Sequence, residues 1–244
     1  MPTWVENLGL RALHSPAGLR ARWRFATAAL TAALHTRPPI GAYVWRYGVR
    51  QLSIVALLGA VLGLLVVGQA VALLRQVGAQ HFVGTVMVTV VMRELGPLLT
   101  AFILAARAGT ATVVELSQAG DRKLRELVAP RLKAFVVTTV CLTIYLIFIA
   151  LATGYVVAFL QGVPLRLAAY CEELADALHW MDFVLVCLKA GLFGGLVALV
   201  SCYHGMEQRR RIEELSQATT RAVVESLACC LALDALFLAG YLVR

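Results

Sequence analysis

A charged pair followed by a helix-breaking dipeptide, Arg93-Glu94-Leu95-Gly96-Pro97, interrupts an apolar stretch at residues 82–114. A charge at bilayer depth costs roughly 2.5–3.5 kcal/mol on insertion scales. Such residues persist where they face the interior of a helix bundle, a partner or a water-filled path. The pair therefore predicts a polar site at membrane depth, which is typical of a transporter component. Gly96-Pro97 predicts a kink or break in the helix beside it, because proline removes an intrahelical hydrogen bond.

Three further ionisable residues lie in apolar stretches: Arg107, Lys189 and Asp234. Arg107 follows Arg93 by close to four helical turns, so an unbroken helix would place both near one face. Asp234 is a candidate partner for an arginine or for Lys189. Two interpretations remain open, namely internal ion pairs that fix helix register and side chains that line a substrate path. The candidate path residues are Arg93, Glu94, Gly96, Pro97, Arg107 and Asp234.

The sequence carries no familiar catalytic motif. It contains no G-x-x-x-x-G-K-[ST] phosphate-binding loop, no H-E-x-x-H and no G-x-S-x-G. Its six cysteines form no C-x-x-C pair, and most lie in apolar segments, where cysteine behaves as a small hydrophobe. We therefore expect no catalytic residue, no metal and no cofactor in this chain. The same observations argue against a membrane-embedded lipid enzyme.

The elements that must position these residues are membrane helices. The chain has 244 residues, of which 60% are hydrophobic and 15% charged, against about 45–50% and 25% in soluble domains. Five apolar segments suffice to cross a ~30 Å hydrocarbon core as helices: residues 52–74, 82–114, 135–160, 183–202 and 222–243. The predicted fold class is an all-α integral membrane protein. The small-residue pairs Gly59/Gly63, Ala105/Gly109 and Gly191/Gly195 predict close contacts between helices.

Residues 1–39 differ from the rest of the chain. They are basic and amphipathic, with arginines between Trp4, Leu8, Leu19 and Trp23, and their one apolar patch is too short to span. This pattern predicts a helix that lies in the membrane interface, with a flexible tail as the alternative. We therefore divide the chain into an interfacial amphipathic segment, residues 1–39, and a five-span domain, residues 40–244.

The loop charges predict the orientation of the spans. Lysine and arginine are concentrated before the first span, between the second and third, and between the fourth and fifth. The two opposite connections carry only Arg75 and Arg166, and the second holds the acids Glu172, Glu173, Asp176 and Asp182. The positive-inside rule then places the N-terminus in the cytoplasm and the C-terminus outside, which in a bacterial inner membrane is the periplasm. The net charge of +8 is thus a topology signal and does not indicate nucleic-acid binding.

Several separated motifs together resemble the MlaE-type permeases, the membrane subunits of ABC lipid transporters that work with MCE proteins. They are residues 93–101, Ala106-Arg107-Ala108-Gly109, Glu115-Leu116, Lys189, Cys202-Tyr203-His204-Gly205, residues 218–224 and Leu233-Asp234-Ala235. The resemblance covers most of the chain from about Tyr43 onward. It implies an interfacial N-terminal element plus five spans, which the hydropathy pattern predicts independently.

The resemblance also implies partners and a substrate. The partners would be a second permease chain, identical or not, a cytoplasmic ABC ATPase that binds ATP, and a periplasmic MCE-domain protein. The substrate would be phospholipid or a related membrane lipid, held in a cavity at the dimer interface close to Arg93 and Glu94. The location would be a bacterial inner membrane, and the chain itself would not be an enzyme.

Two regions depart from the family pattern: the connection between spans two and three, and residues 207–214, which replace a Gly-rich segment after the fourth span. Family members have a longer cytoplasmic connection between spans two and three, with a coupling helix that docks into the ATPase; residues 115–130 are too short for it. Asp121 could still cap a short helix, and the candidate ATPase contacts are Asp121, Leu124, Arg125, Glu126 and Leu127. Two functions remain open: a coupled lipid permease, or a structural or regulatory membrane subunit that only anchors MCE proteins.

Overall fold

A computed structural model describes residues 25–31, 33, 40–76, 83–118, 124–161, 170, 172, 175, 180–207 and 212–242. These residues include five helices long and apolar enough to cross a membrane. The predicted all-α membrane fold with five spans is therefore confirmed. Most of the predicted interfacial segment lies outside the described residues, although residues 25–31 are helical.

The helices extend beyond the apolar segments that predict them. Span 1 is the helix Leu52–Gln76, and it follows a short flanking helix, Gly41–Gly48, and a 3-10 turn, Val49–Gln51. Span 3 is the helix Leu124–Leu160, span 4 is Trp180–Glu207 and span 5 is Ile212–Leu242. Span 3 has 37 residues and is therefore about 55 Å long. Because the hydrocarbon core is only ~30 Å thick, its ends reach past the core.

Span 2 is a run of five helical segments: Val83–Val86, Met87–Leu95, Gly96–Leu104, Ala105–Gly109 and Thr110–Gln118. The second and fourth segments are π-helical, with hydrogen bonds that span five residues. The amide of Gly96 donates to the carbonyl of Val91. Pro97, which has no amide hydrogen, follows at the start of the next α-helical segment. The helix therefore does not break at Gly96-Pro97, because a change of hydrogen-bond register accommodates the proline.

Span 3 lies at the centre of the bundle, with span 1 and span 4 packed against it. A methyl group on Gly59 would lie 2.9 Å from the carbonyl oxygen of Leu146, and Gly63 is similarly close to Ala150 and Thr153. Only residues without a side chain allow two helix backbones to approach this far. The contact predicted from Gly59/Gly63 is confirmed, and it lies between spans 1 and 3.

The largest hydrophobic cluster joins the flanking helix to spans 2, 3 and 4 through the buried side chains of Tyr47, Leu104, Phe135 and Phe193. The rings of Tyr47 and Phe135 lie 4.9 Å apart. Span 5 is different, because only 17% of its most apolar window is buried. It therefore lies at the edge of the described bundle, packed on span 4 and on the end of span 2.

Candidate functional site

Five charged side chains form one connected group toward one end of the bundle, and we call them the charged layer: Arg93 and Glu94 on span 2, Asp182 and Lys189 on span 4, and Asp234 on span 5. Counted from the nearer helix end, Arg93, Lys189 and Asp234 are eight to ten residues into their spans, about 12–15 Å along each axis. All three helix ends lie on the side that the loop charges assign to the periplasm.

The charged layer is held by short ion pairs. Arg93 Nη2 lies 2.7 Å from Asp182 Oδ2. Lys189 Nζ donates to Glu94 Oε2 at 2.8 Å and to the Arg93 carbonyl oxygen at 3.0 Å, and it lies 2.6 Å from Asp234 Oδ1. A single ammonium group therefore joins carboxylates from spans 2 and 5.

Burial divides the charged layer into a hub and a rim. The two span 4 residues are almost inaccessible, with 6% exposure for Asp182 and 3% for Lys189. The side chains from the other helices are partly open, at 29% for Arg93, 27% for Glu94 and 17% for Asp234. Because a buried charge is stable only when it is paired, span 4 depends on spans 2 and 5 for its counterions.

The charge count of this layer is unequal. Within the described part of the chain, the ion pairs of this layer join three carboxylates to two cations. Among the described residues, no group of three or more His, Cys, Asp and Glu side chains could hold a metal ion. The charged layer can thus bind three helices together, and its partly open rim offers polar atoms to a ligand at membrane depth.

The structure places the other candidate path residues in different surroundings. Arg107 lies in the second π-helical segment and is exposed, with no side-chain hydrogen bond or ion pair to any described residue. Gly96 and Pro97 are buried beneath the charged layer, and a methyl group on Gly96 would lie 3.1 Å from Ile147. The two arginines of span 2 therefore differ: Arg93 is held in an ion pair, whereas Arg107 is exposed. Of the partners considered for Asp234, the structure selects Lys189.

Asp182 is the member of the charged layer that sequence reasoning missed. The apolar pattern placed it in the periplasmic connection, but it lies in the first turn of span 4, two residues after Trp180. Acidic residues are favoured there because the N-terminal end of a helix carries a partial positive charge. That preference, together with an interfacial tryptophan just before it, is the signal that would have found it.

A second group of charges, which we call the inner cluster, lies at the opposite end of span 2. Glu115 Oε2 accepts a hydrogen bond from Arg131 of span 3 at 2.9 Å, and its Oε1 forms an ion pair with Arg46 of the flanking helix at 2.7 Å. Arg131 is buried at 5% exposure, and its guanidinium lies over the ring of Tyr43 at 5.8 Å. The inner cluster therefore fixes the two helices that flank the connection between spans 2 and 3.

The predicted short coupling helix does not form as a separate element. Asp121 lies outside the described residues, while Leu124, Arg125, Glu126 and Leu127 form the first turn of span 3, which continues unbroken to Leu160. Residues 119–123, between Gln118 and Leu124, also lie outside the described residues. The predicted coupling residues 124–127 are therefore part of span 3, which extends beyond the hydrocarbon core at this end.

Comparison with known proteins agrees with this architecture. The family model described as "Permease MlaE" matches residues 40–239. The "Intermembrane phospholipid transport system permease protein MlaE" of Haemophilus influenzae is 30% identical over 201 residues, 77% of this chain and 76% of that protein. A "Probable ABC transporter permease protein" of Rickettsia prowazekii is 27% identical over 191 residues, 73% of each chain.

A more distant relative comes from a plant. The chloroplast protein Trigalactosyldiacylglycerol 1 of Arabidopsis thaliana is 24% identical over 195 residues, 75% of this chain and 55% of that protein. The family match includes the flanking helix and, with spans 2, 4 and 5, every residue of the charged layer. This multi-pass helical protein therefore belongs to the MlaE permease family.

Proposed function

We propose that this chain is the permease subunit of an ABC transporter that moves phospholipid or a related lipid between a bacterial inner membrane and a periplasmic MCE-domain protein. A separate cytoplasmic ATPase hydrolyses ATP, and a second permease chain completes the pathway. The N-terminus lies in the cytoplasm and the C-terminus in the periplasm. Family membership supports this proposal, as does the name of the Haemophilus relative, an intermembrane phospholipid transport permease.

The observation that carries the proposal is the open rim of the charged layer. Arg93, Glu94 and Asp234 are partly exposed although they lie within spanning helices. An exposed charge at this depth is costly unless it meets water or another polar group. A phospholipid head group supplies such groups: a phosphate that can accept hydrogen bonds from Arg93, and donors or cations that suit the carboxylates of the rim.

Arg107 provides a second polar contact along the same helix. It is exposed in the π-helical segment Ala105–Gly109, about 21 Å along the helix axis from Arg93. π-helical turns within α-helices occur frequently at functional sites. A guanidinium binds phosphate oxygens in a bidentate arrangement. In the proposed pathway, Arg107 therefore contacts lipid phosphate nearer the cytoplasmic side than Arg93 does.

The edge position of span 5 supports a second permease chain. Its exposed side carries Leu231, Leu236 and Leu238, while Asp234 on the same helix turns toward Lys189. A second copy packed against span 5 would enclose the open rim between two subunits. Opening and closing of that interface, driven by the ATPase, would then admit and release the lipid.

The experiment is lipid transfer by the complex purified from its native membrane and reconstituted with fluorescent phospholipid and ATP. Arg93→Gln and Glu94→Gln are each expected to lower ATP-dependent transfer about ten-fold or more, because each loses a charged hydrogen bond. The amount of folded complex should fall much less. The exposed carboxylate Glu172 gives a control, since Glu172→Gln should leave transfer unchanged. Normal transfer by both Arg93→Gln and Glu94→Gln would refute the proposed path.

A structural or regulatory subunit that anchors MCE proteins is the second candidate, and the short connection between Gln118 and Leu124 favours it. The coupled permease requires that an ATPase subunit copurify with the chain, and that Leu124→Asp or Leu127→Asp disrupt that association. Recovery of MCE protein without ATPase, together with activity that tolerates changes throughout residues 121–127, would support the anchoring function instead.

A further inference from the structure

The flanking helix and the turn after it expose one continuous face. Six residues at helical spacing, every third or fourth position, are exposed: Ala42, Trp45, Arg46, Val49, Arg50 and Ser53. Trp45 is 68% exposed, and the side chain of Arg46 is 51% exposed. A large aromatic ring and two arginines therefore point away from the protein together.

The opposite face of the same helix is fixed to the bundle. Tyr47, Gly48 and Gln51 are buried. The Tyr47 hydroxyl lies within 3.4 Å of the Thr112 hydroxyl on span 2. This anchoring sets the direction of the exposed face, so Trp45 and the arginines cannot rotate inward without loss of these contacts.

The position of this face follows from helix length. Span 1, Leu52–Gln76, has 25 residues and is therefore about 37 Å long. It crosses a ~30 Å core without the flanking helix, which consequently lies at the head-group level. Arg46 pairs with Glu115 near the end of span 2, on the side that the loop charges assign to the cytoplasm.

We propose that Trp45, Arg46 and Arg50 form a docking surface for the head group of an anionic phospholipid in the cytoplasmic leaflet. A guanidinium matches a phosphate group in shape and charge, and tryptophan favours the head-group level of a bilayer. The surface keeps positive charge that an anionic head group can neutralise. Arg46 shares the single carboxylate of Glu115 with Arg131, and Arg50 has no hydrogen bond or ion pair within the described part of the chain.

Glu115 is a positioning residue for this surface. It contacts Arg46 through Oε1 at 2.7 Å and leaves half of the arginine side chain accessible. The guanidinium has five N–H donors, so one can bond Glu115 while others bind phosphate. The docked lipid would thus contact a helix that is joined, through Glu115, to both helices beside the connection between spans 2 and 3.

The test uses tryptophan quenching in the full chain. Trp4, Trp23 and Trp180 are changed to Phe, so that Trp45 is the only tryptophan and can be excited selectively, and the protein is reconstituted in phosphatidylcholine bilayers. Brominated phosphatidylglycerol should quench Trp45 at a several-fold lower mole fraction than brominated phosphatidylcholine, because each nearby arginine favours anionic lipid about five-fold. Added salt should reduce the difference.

Two variants and a control make the test specific. Arg50→Gln, which breaks no internal pair, and Arg46→Gln should each lower the preference for phosphatidylglycerol about five-fold. Arg221→Gln, at an exposed arginine on span 5, should leave it unchanged. Equal quenching by the two lipids at low salt would overturn the proposal. Absence of quenching by either lipid would also overturn it, because Trp45 would then be covered by protein. Neither result depends on lipid transfer, so neither bears on the proposed function.

Discussion

The charged layer and the inner cluster both join helices through ion pairs around one central charged group, but the central charges have opposite signs. In the charged layer, one buried cation, Lys189, lies between carboxylates from two other helices. In the inner cluster, one carboxylate, Glu115, lies between two arginines. Counted over the ion pairs of the described residues, the first group holds three carboxylates and two cations, and the second holds one carboxylate and two cations. The positive end is the one that the loop charges assign to the cytoplasm.

Span 2 is the element that the two groups share. It contributes Arg93 and Glu94 to one and Glu115 to the other, with a π-helical segment, Ala105–Gly109, between them. About 30 Å of helix separates the two levels. Because the groups differ in burial as well as charge, the comparison predicts that damage to the charged layer costs more stability than damage to the inner cluster.

The largest expected effect is at the hub of the charged layer. Lys189→Met removes the cation from Glu94 and Asp234 and leaves both carboxylates without it. Breaking a buried ion pair from one side costs about 3–5 kcal/mol. We expect a strong loss of folded protein and a lower midpoint of thermal unfolding in detergent, measured by circular dichroism.

A compensated variant separates charge from packing. If uncompensated charge causes the loss, Lys189→Met combined with Glu94→Gln and Asp234→Asn should recover most of the stability, because the neutral side chains no longer need a cation. Lys189→Arg should keep the charge and lose less than Lys189→Met. A triple variant as unstable as Lys189→Met would contradict the ion-pair account.

An intermediate effect is expected at the inner cluster. Glu115→Gln deprives Arg131 of its carboxylate, and the loss of a charged hydrogen bond costs about 1.5–3 kcal/mol. The cost should be smaller than at Lys189, since Glu115 is 23% exposed and water can replace part of its role. Arg46→Gln is the matched control, because a half-exposed pair contributes about 0–1 kcal/mol. An Arg46→Gln variant less stable than Glu115→Gln would contradict the view that the buried pair with Arg131 contributes more than the half-exposed pair with Arg46.

The smallest effect on stability is expected between the charged layer and the inner cluster, where a hydrogen bond between two uncharged side chains joins spans 2 and 3. The Thr100 and Thr143 hydroxyls lie 2.6 Å apart in the buried core. Thr100→Val should cost about 0.6 kcal/mol, the average for such bonds between membrane helices. Thr110→Val, at a hydroxyl that bonds only to its own helix, should cost less. Denaturation in mixed detergent micelles would measure the free energy of unfolding of both variants. Equal losses in Thr100→Val and Thr110→Val would show that the interhelical hydrogen bond does not contribute to stability.

Much of the fold was predictable because the bilayer restricts it. Each apolar segment had to be a helix, since backbone groups cannot stay unpaired in lipid, and Gly59 with Gly63 marked a true contact. Of the kink or break predicted at Gly96-Pro97, the break does not occur, because a π-helical register change accommodates the proline. The separate short helix after Asp121 was likewise absent from the described residues.

The sequence by itself determined the number of spans, the membrane class and the family, because these follow from hydropathy, loop charge and ordered motifs along the chain. It also identified Arg93, Glu94, Lys189 and Asp234 as costly residues that need partners. Only the tertiary structure decided which partner each one has, that Asp182 joins them, and that Arg107 is left exposed. The physical reason is that an ion pair depends on the spacing and rotation of helices distant in sequence, and those are set by packing around span 3.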